Sequence, residues 1–141
     1  MDKLHLRYDI DGADFSSAGQ ASSNVKRVLK KLNFDSDTVR RAAICMYEGE
    51  INMIIHANGG TADVTIDESL IEIILTDTGP GIADIEKAMQ EGYSTATQAI
   101  RELGFGAGMG LPNIKRHSDY LNVTSKVGEG TTLTIRIDNK D

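Results

Sequence analysis

The sequence predicts an α+β domain on three observations. Several segments alternate strictly between apolar and polar residues and read as strands, tight polar turns join four of them into hairpins, and two long helical periods can cover the resulting sheet. The 141 residues suit one domain spanning 1–141, with 40% apolar residues and two prolines. No signal peptide or membrane-spanning run is read. The single cysteine, Cys45, falls in a helical pattern as a buried thiol, so the cytoplasm is the expected compartment and no membrane partner is expected. A net charge of −6 argues against a nucleic-acid partner, which would need a basic stripe.

The elements follow in order. Leu4, Leu6, Tyr8 and Ile10 alternate with His5, Arg7 and Asp9, giving a half-buried strand suited to a sheet edge; His5 lies on its polar face and carries no assigned role. Residues 14–32 keep a helical period through Ala18, Ala21, Val25, Val28, Leu29 and Leu32, with Asp14 as the expected cap. Lys26, Arg27, Lys30 and Lys31 cluster there, a solvated face on the plainer reading and a docking surface on the minority one. A second helix starts at Asp35 or Ser36 and runs to the breaker Ala57-Asn58-Gly59-Gly60. Ala62–Asp67 and Leu70–Thr76 form a hairpin about Asp67-Glu68-Ser69, and Ala83–Gly92 reads as a short helix capped near Asp84. The glycines of 92–110 make that stretch costly to order and suggest a mobile lid. Pro112 opens another helix, and Leu121–Lys126 with Thr131–Ile137 make a second hairpin.

Three stretches carry chemistry. Glu48, Asn52 and His56 are spaced four apart and share one helical face, whereas Glu50 points elsewhere and serves as the comparison. A Glu can deprotonate or orient a hydroxyl, and an Asn carbonyl is a neutral oxygen ligand for a Mg²⁺ ion that takes its other ligands from phosphate and water. Gly49 weakens the reading of a plain polar stripe, because glycine costs about 1 kcal/mol in a helix interior and often marks close approach. His56 by itself reads as structural. Asp77 ends an apolar strand before the Gly79-Pro80-Gly81 turn; an ionised carboxylate accepts only, so it can select the adenine amine over the guanine carbonyl. Gly79 and Gly81 let a flat ring approach the backbone. Finally, the run from Gly104 to Gly110 leads directly into the Pro112 helix, whose unpaired N–H groups suit a di- or triphosphate, although it fits neither of the two common phosphate fingerprints.

In this order, Glu48-x-x-x-Asn52-x-x-x-His56, Asp77-x-Gly79-x-Gly81, Gly106-Ala107-Gly108-Met109-Gly110-Leu111 and Gly130-Thr131-Thr132 resemble the N, G1 and G2 boxes and closing Gly-Thr-Thr of the GHKL (Bergerat) ATP-binding superfamily. The resemblance covers nearly the whole chain and is strongest to the stand-alone anti-sigma serine/threonine kinases. The single-domain length, His56 where histidine kinases usually carry lysine, and the DTGPGI-helix-Gly-Tyr-Ser-Thr run favour that branch. It implies a two-layer α/β sandwich with a mixed, largely antiparallel sheet covered by helices on one face. It also implies ATP and Mg²⁺ as cofactors, and phosphorylation of a serine on a small STAS-type anti-anti-sigma partner, with a sigma factor as a further partner and homodimerisation left open. Carried over, Glu48 is the catalytic base, Asn52 the Mg²⁺ ligand and Asp77 the adenine contact. Gly79, Gly81 and Ile82 form the wall beside the base; Gly106, Gly108, Met109, Gly110 and Leu111 form the phosphate cradle; Thr131 is a secondary contact near the base. The segment from Thr95 to Gly106 is longer than the family's lid, which leaves Arg101 between a cation at the terminal phosphate and a residue of an inserted turn.

Two other classes compete. A nucleotide-sensing module could sequester a regulator without chemistry. A detached histidine-kinase ATP domain would need a phosphoacceptor histidine on a dimerisation helix, and residues 1–35 offer only His5, in a strand pattern.

Overall fold

The computed structural model describes residues 3–12, 18–57, 59–79, 81, 89 and 110–139, with the side chains of 56 and 57 excepted. The elements are β1 (Leu4–Asp11), α1 (Gln20–Lys31), α2 (Ser36–Ala57), β2 (Gly59–Ile66), β3 (Leu70–Asp77), α3 (Gly110–His117), β4 (Tyr120–Lys126) and β5 (Gly130–Asp138). The expected helix at Ala83–Gly92, apart from Met89, the Asp14 cap and lid residues 92–109 lie outside the described residues.

The strands pair in the order β1-β2-β3-β5-β4, so β1, the first element of the chain, is an edge strand as expected. All the described pairings are antiparallel, a simpler sheet than the mixed one the resemblance implied. Alternation decides which face is covered. Val64 and Ile66 of β2, Ile71 and Ile73 of β3, and Ile135 and Ile137 of β5 are wholly buried, and they join Val25 and Leu29 of α1, Met46 of α2 and Ile114 of α3 in one core. The other face carries charge pairs across strands: Arg136 with Glu72 at 3.0 Å, Arg7 with Asp63 at 3.6 Å, and the Arg136 guanidinium over the Tyr120 ring. His5 belongs to this face, where it meets Asp63 and Thr65 of the neighbouring strand.

The turns and caps are local chemistry. Asp67 Oδ1 accepts the N–H groups of Ser69 and Leu70 and the Ser69 hydroxyl, which closes the β2–β3 hairpin. These bonds, with the Ser69 N–H first, hold the Asp67 carboxyl below its ordinary range. Asp35 caps α2 as expected, accepting from the N–H groups of Asp37 and Thr38. Strand β2 begins at Gly59, inside the stretch read as a helix breaker, because Gly59 has φ of 102° and a Cβ there would stand 2.1 Å from the Ile10 carbonyl oxygen.

The start of α1 departs most from the expectation. Gly19 occupies the N-cap with left-handed φ and offers no side chain. The Glu50 carboxylate, from α2, instead accepts the N–H groups of Gly19 at 3.0 Å, Ala21 at 3.3 Å and Ser22 at 3.1 Å. Glu50 is only 2% exposed, so it is a buried anchor between two helices and not a bystander on a solvent face. Its charge meets the positive end of α1, the favourable sense for a helix dipole.

Arg41 ties the other flank, donating to the His117 carbonyl at the end of α3, to Asp119 and to the Asp138 carbonyl at the end of β5. Cys45 is fully buried as expected, and burial raises its thiol to about 12, a protonated packing group at neutral pH. Among the described residues no helix is long and apolar enough to cross a membrane.

Glu50→Ala strands three N–H groups at the first turn of α1 and should cost about 3 kcal/mol in urea unfolding. An unfolding free energy unchanged from wild type would refute the anchoring role.

Candidate nucleotide and phosphoryl-transfer site

The site is built on the C-terminal half of α2, and two glycines determine how closely that helix lies on the sheet. A Cβ on Gly49 would come within 2.0 Å of Leu75 Cδ1, and Leu75 is itself buried in β3. At Gly60 of β2, a Cβ would meet the Thr76 carbonyl oxygen at 2.4 Å, Met53 Sδ at 2.8 Å and Asp77 Cβ at 3.1 Å. Met53 of α2 and Asp77 of β3 are therefore neighbours across a glycine, which brings the turn carrying Asn52 to the end of β3.

Asp77 is held from two sides. Its Oδ1 accepts the Gly79 N–H at 2.9 Å within the following turn and the Thr131 N–H at 3.2 Å from β5. The register makes the second bond available, since Asp77 and Thr131 are paired residues. It also requires Gly130, where φ is 125° and a Cβ would lie 2.1 Å from the Asp77 carbonyl oxygen. The Gly-Thr-Thr signature thus has a local cause: glycine lets the two strands close, and the next N–H fixes the carboxylate. Thr131 contributes its backbone to this contact, while its hydroxyl lies 2.9 Å from that of Ser125 on β4.

Gly81 has φ of 78°, and a Cβ there would stand 2.5 Å from the Lys126 carbonyl oxygen. Close packing on the β4–β5 turn accounts for this glycine before any ring is considered. Ile82, Gly106, Gly108 and Met109 lie outside the described residues, as does Arg101. The His56 side chain is likewise outside them.

The opening of α3 completes the described site. Gly110 is the first residue of the helix, earlier than the Pro112 start expected, and Leu111, Pro112 and Ile114 are buried beneath it. A Cβ on Gly110 would lie 3.0 Å from Asn52 Oδ1, so the open end of α3 abuts the Asn52 amide. One turn earlier on α2, Glu48 Oε2 accepts a hydrogen bond from Asn113 Nδ2 at 3.3 Å. The structure therefore brings Glu48, Asn52, Gly110 and Leu111 together on α2 and α3, and groups Asp77, Gly79, Gly81 and Thr131 around the end of β3.

Asn113 is a contact that pattern reasoning passed over, although a trace of it was present. It is an amide set among the buried Leu111, Pro112 and Ile114, and a polar group in such a turn needs a partner. Gly60 and Glu50 were missed for the opposite reason: their neighbours are distant in sequence, Met53, Thr76 and Asp77 for Gly60 and Gly19, Ala21 and Ser22 for Glu50.

Among the described residues no group of three or more His, Cys, Asp or Glu gathers as a metal site. The donor set suits instead a hard cation held by one neutral oxygen, that of Asn52, beside the N–H end of a helix that can receive phosphate.

Comparison with known proteins agrees with this arrangement. The family described as "Histidine kinase-, DNA gyrase B-, and HSP90-like ATPase" matches residues 38–141. The serine/threonine-protein kinase RsbT of Bacillus subtilis is 34% identical over 126 residues, covering 85% of each chain. An anti-sigma F factor of Halalkalibacterium halodurans is 28% identical over 132 residues, covering 86% of this chain and 87% of its own. Among solved structures, the mycobacterial sensor histidine kinase MprB superposes with a TM-score of 0.55 at 19% identity over 97% of this chain, a likeness of fold alone. The matched range runs from the start of α2 to the end of the chain, and the chain belongs to the histidine kinase, gyrase B and HSP90-like ATPases.

Proposed function

We propose that the chain is an ATP-dependent protein kinase that phosphorylates serine or threonine on a protein partner. The observation that carries this reading is the Glu48 carboxylate, held by Asn113 on the same stretch of α2 that sets Asn52 against the open end of α3. The similarity to a serine/threonine-protein kinase and to anti-sigma factors supports the reaction class, and a small STAS-type protein is the partner that the sequence resemblance favours.

Each residue has a task that its surroundings suit. The carboxylate oxygen of Asp77 receives the adenine amine, and the bonds from Gly79 and Thr131 orient the group for it. The first N–H groups of α3, from Gly110 and Leu111 onward, face phosphate oxygens and stabilise the charge that builds during transfer. Asn52 would hold a Mg²⁺ ion through its amide oxygen, and the ion would supply charge neutralisation for the phosphates. Glu48 accepts the proton of the partner's hydroxyl while that oxygen bonds to the terminal phosphorus and the bond to ADP breaks. The hydrogen bond from Asn113 keeps the Glu48 carboxylate in one orientation, so less ordering is needed in the transition state.

A nucleotide-sensing module without chemistry would use the same Asp77 and α3 contacts but would not need Glu48. The two readings separate on one substitution. Glu48→Gln should bind ATP with wild-type affinity and lose about 100-fold or more of phosphoryl transfer to the partner, measured with labelled ATP. Transfer at the wild-type rate would exclude Glu48 as the base. Asp77→Asn presents an amide whose donor group opposes the adenine amine, so ATP affinity should fall about 10- to 100-fold by calorimetry with GTP no worse than before. Undiminished ATP binding by this variant would remove Asp77 from the base contact.

A further inference from the structure

The outer crevice between α1 and α2 has no part in the site just described, and its chemistry is specific. It holds a hollow of about 520 Å³ floored by Phe34, Val39 and Ile44, with Lys26 and Lys30 along one rim and Arg40 on the other. Arg40 is paired with Asp37 at 2.9 Å, but among the described residues Lys26 and Lys30 have no ion-pair partner. These two lysines stand four residues apart on α1, with Arg27 and Lys31 beside them, so like charges are held together on a protein of net charge −6. Lys30 also complements the C-terminal end of α1, whereas Lys26 lies in the middle of the helix, where the dipole gives no such reason.

A second hollow of about 510 Å³ lies farther along the same helix pair, lined by Gln20, Ser23, Asn24 and Arg27 of α1 and by the Tyr47 ring of α2. Tyr47 is 38% exposed, unusual for a large side chain against a helix–helix contact, and Glu48 is the next residue. The first hollow is a trough with an apolar floor and cationic rims, and the second, lined largely by polar residues, adds one aromatic side chain, Tyr47, next to the proposed base in sequence.

We propose that this trough is a docking groove for an acidic amphipathic helix of a protein partner. A helix laid in a groove between two helices buries its apolar stripe against the floor, and carboxylates flanking that stripe meet the rims. The occupant is acidic because the unpaired rim charges are lysines, and it is apolar on one face because Phe34, Val39 and Ile44 offer the floor few polar contacts. A helix seated there lies along the N-terminal half of α2, the half that leads into the turn carrying Glu48. That it delivers a phosphoacceptor rests on the kinase reading; the groove itself does not.

The test titrates the ¹⁵N-labelled full chain with a synthetic helical peptide carrying leucines along one face and glutamates on its flanks. A second peptide replaces the glutamates by lysines. The acidic peptide should shift the amides of Lys26, Lys30, Phe34 and Ile44 and bind about tenfold tighter than the basic one. In the double variant Lys26→Glu/Lys30→Glu the preference should reverse, while ATP affinity, measured in parallel, stays at the wild-type value. Loss of ATP binding in wild type would defeat the nucleotide reading and leave the peptide result standing on its own. Equal binding of the two peptides, or shifts that avoid these residues, would overturn the groove. Amides of the trough that move with protein concentration alone would also overturn it, because the occupant would then be a second copy of the chain.

Discussion

The close approach of α2 to β3 is the constraint on which the rest of the molecule depends. A side chain at Gly49 would collide with Leu75, and one at Gly60 would collide with Met53 and the backbone of Thr76. Glycine in the middle of a helix costs about 1 kcal/mol relative to alanine, so its presence at 49 is unfavourable locally and favourable only through what it permits. It permits α2 to lie low on the sheet, and that brings residues from three separate parts of the chain close together. Lifting α2 by the width of a methyl group would separate Asn52 from Asp77 and from the open end of α3 without touching any of them.

Around that contact, two carboxylates two residues apart on one helix have opposite surroundings. Glu50 is buried and saturated by the N–H groups of α1, so it joins helices and has no capacity left for chemistry. Glu48 is partly exposed and carries one oriented contact from Asn113, which leaves it able to meet a hydroxyl. Asp77 is of a third kind: one of its oxygens is committed to Gly79 and Thr131, and that commitment aims the group. The three carboxylates differ in how many donors the fold has already supplied.

Much of this was legible in the residues themselves. The alternation in β1, the Asp67 turn, the Asp35 cap and the period of α2 are local signals, and each appears where the pattern places it. The four-residue spacing of Glu48 and Asn52 was enough to put them on one face, and the order of the glycine boxes was enough to indicate the family. What sequence could not show depends on contacts between distant segments. Nothing near Glu50 announces that its partners are Gly19, Ala21 and Ser22, and helical geometry alone makes it look like an idle residue on another face. Gly59 and Gly60 read as a helix breaker by composition, whereas they are the first residues of β2 because the neighbouring strand and helix leave no room for a Cβ. A strand order that inserts β5 between β3 and β4 is likewise set by long-range pairing, and that pairing is what supplies Asp77 with its second donor.

The account's central claim is that a purine nucleotide sits between the C-terminal half of α2, the end of β3 and the start of α3. The most direct measurement is the amide spectrum of the ¹⁵N-labelled chain during addition of a non-hydrolysable ATP analogue with Mg²⁺. The account predicts saturable shifts at Asn52, Asp77, Gly79, Gly110, Leu111 and Thr131 together. Saturable shifts confined to other parts of the chain, or none at all, would contradict it.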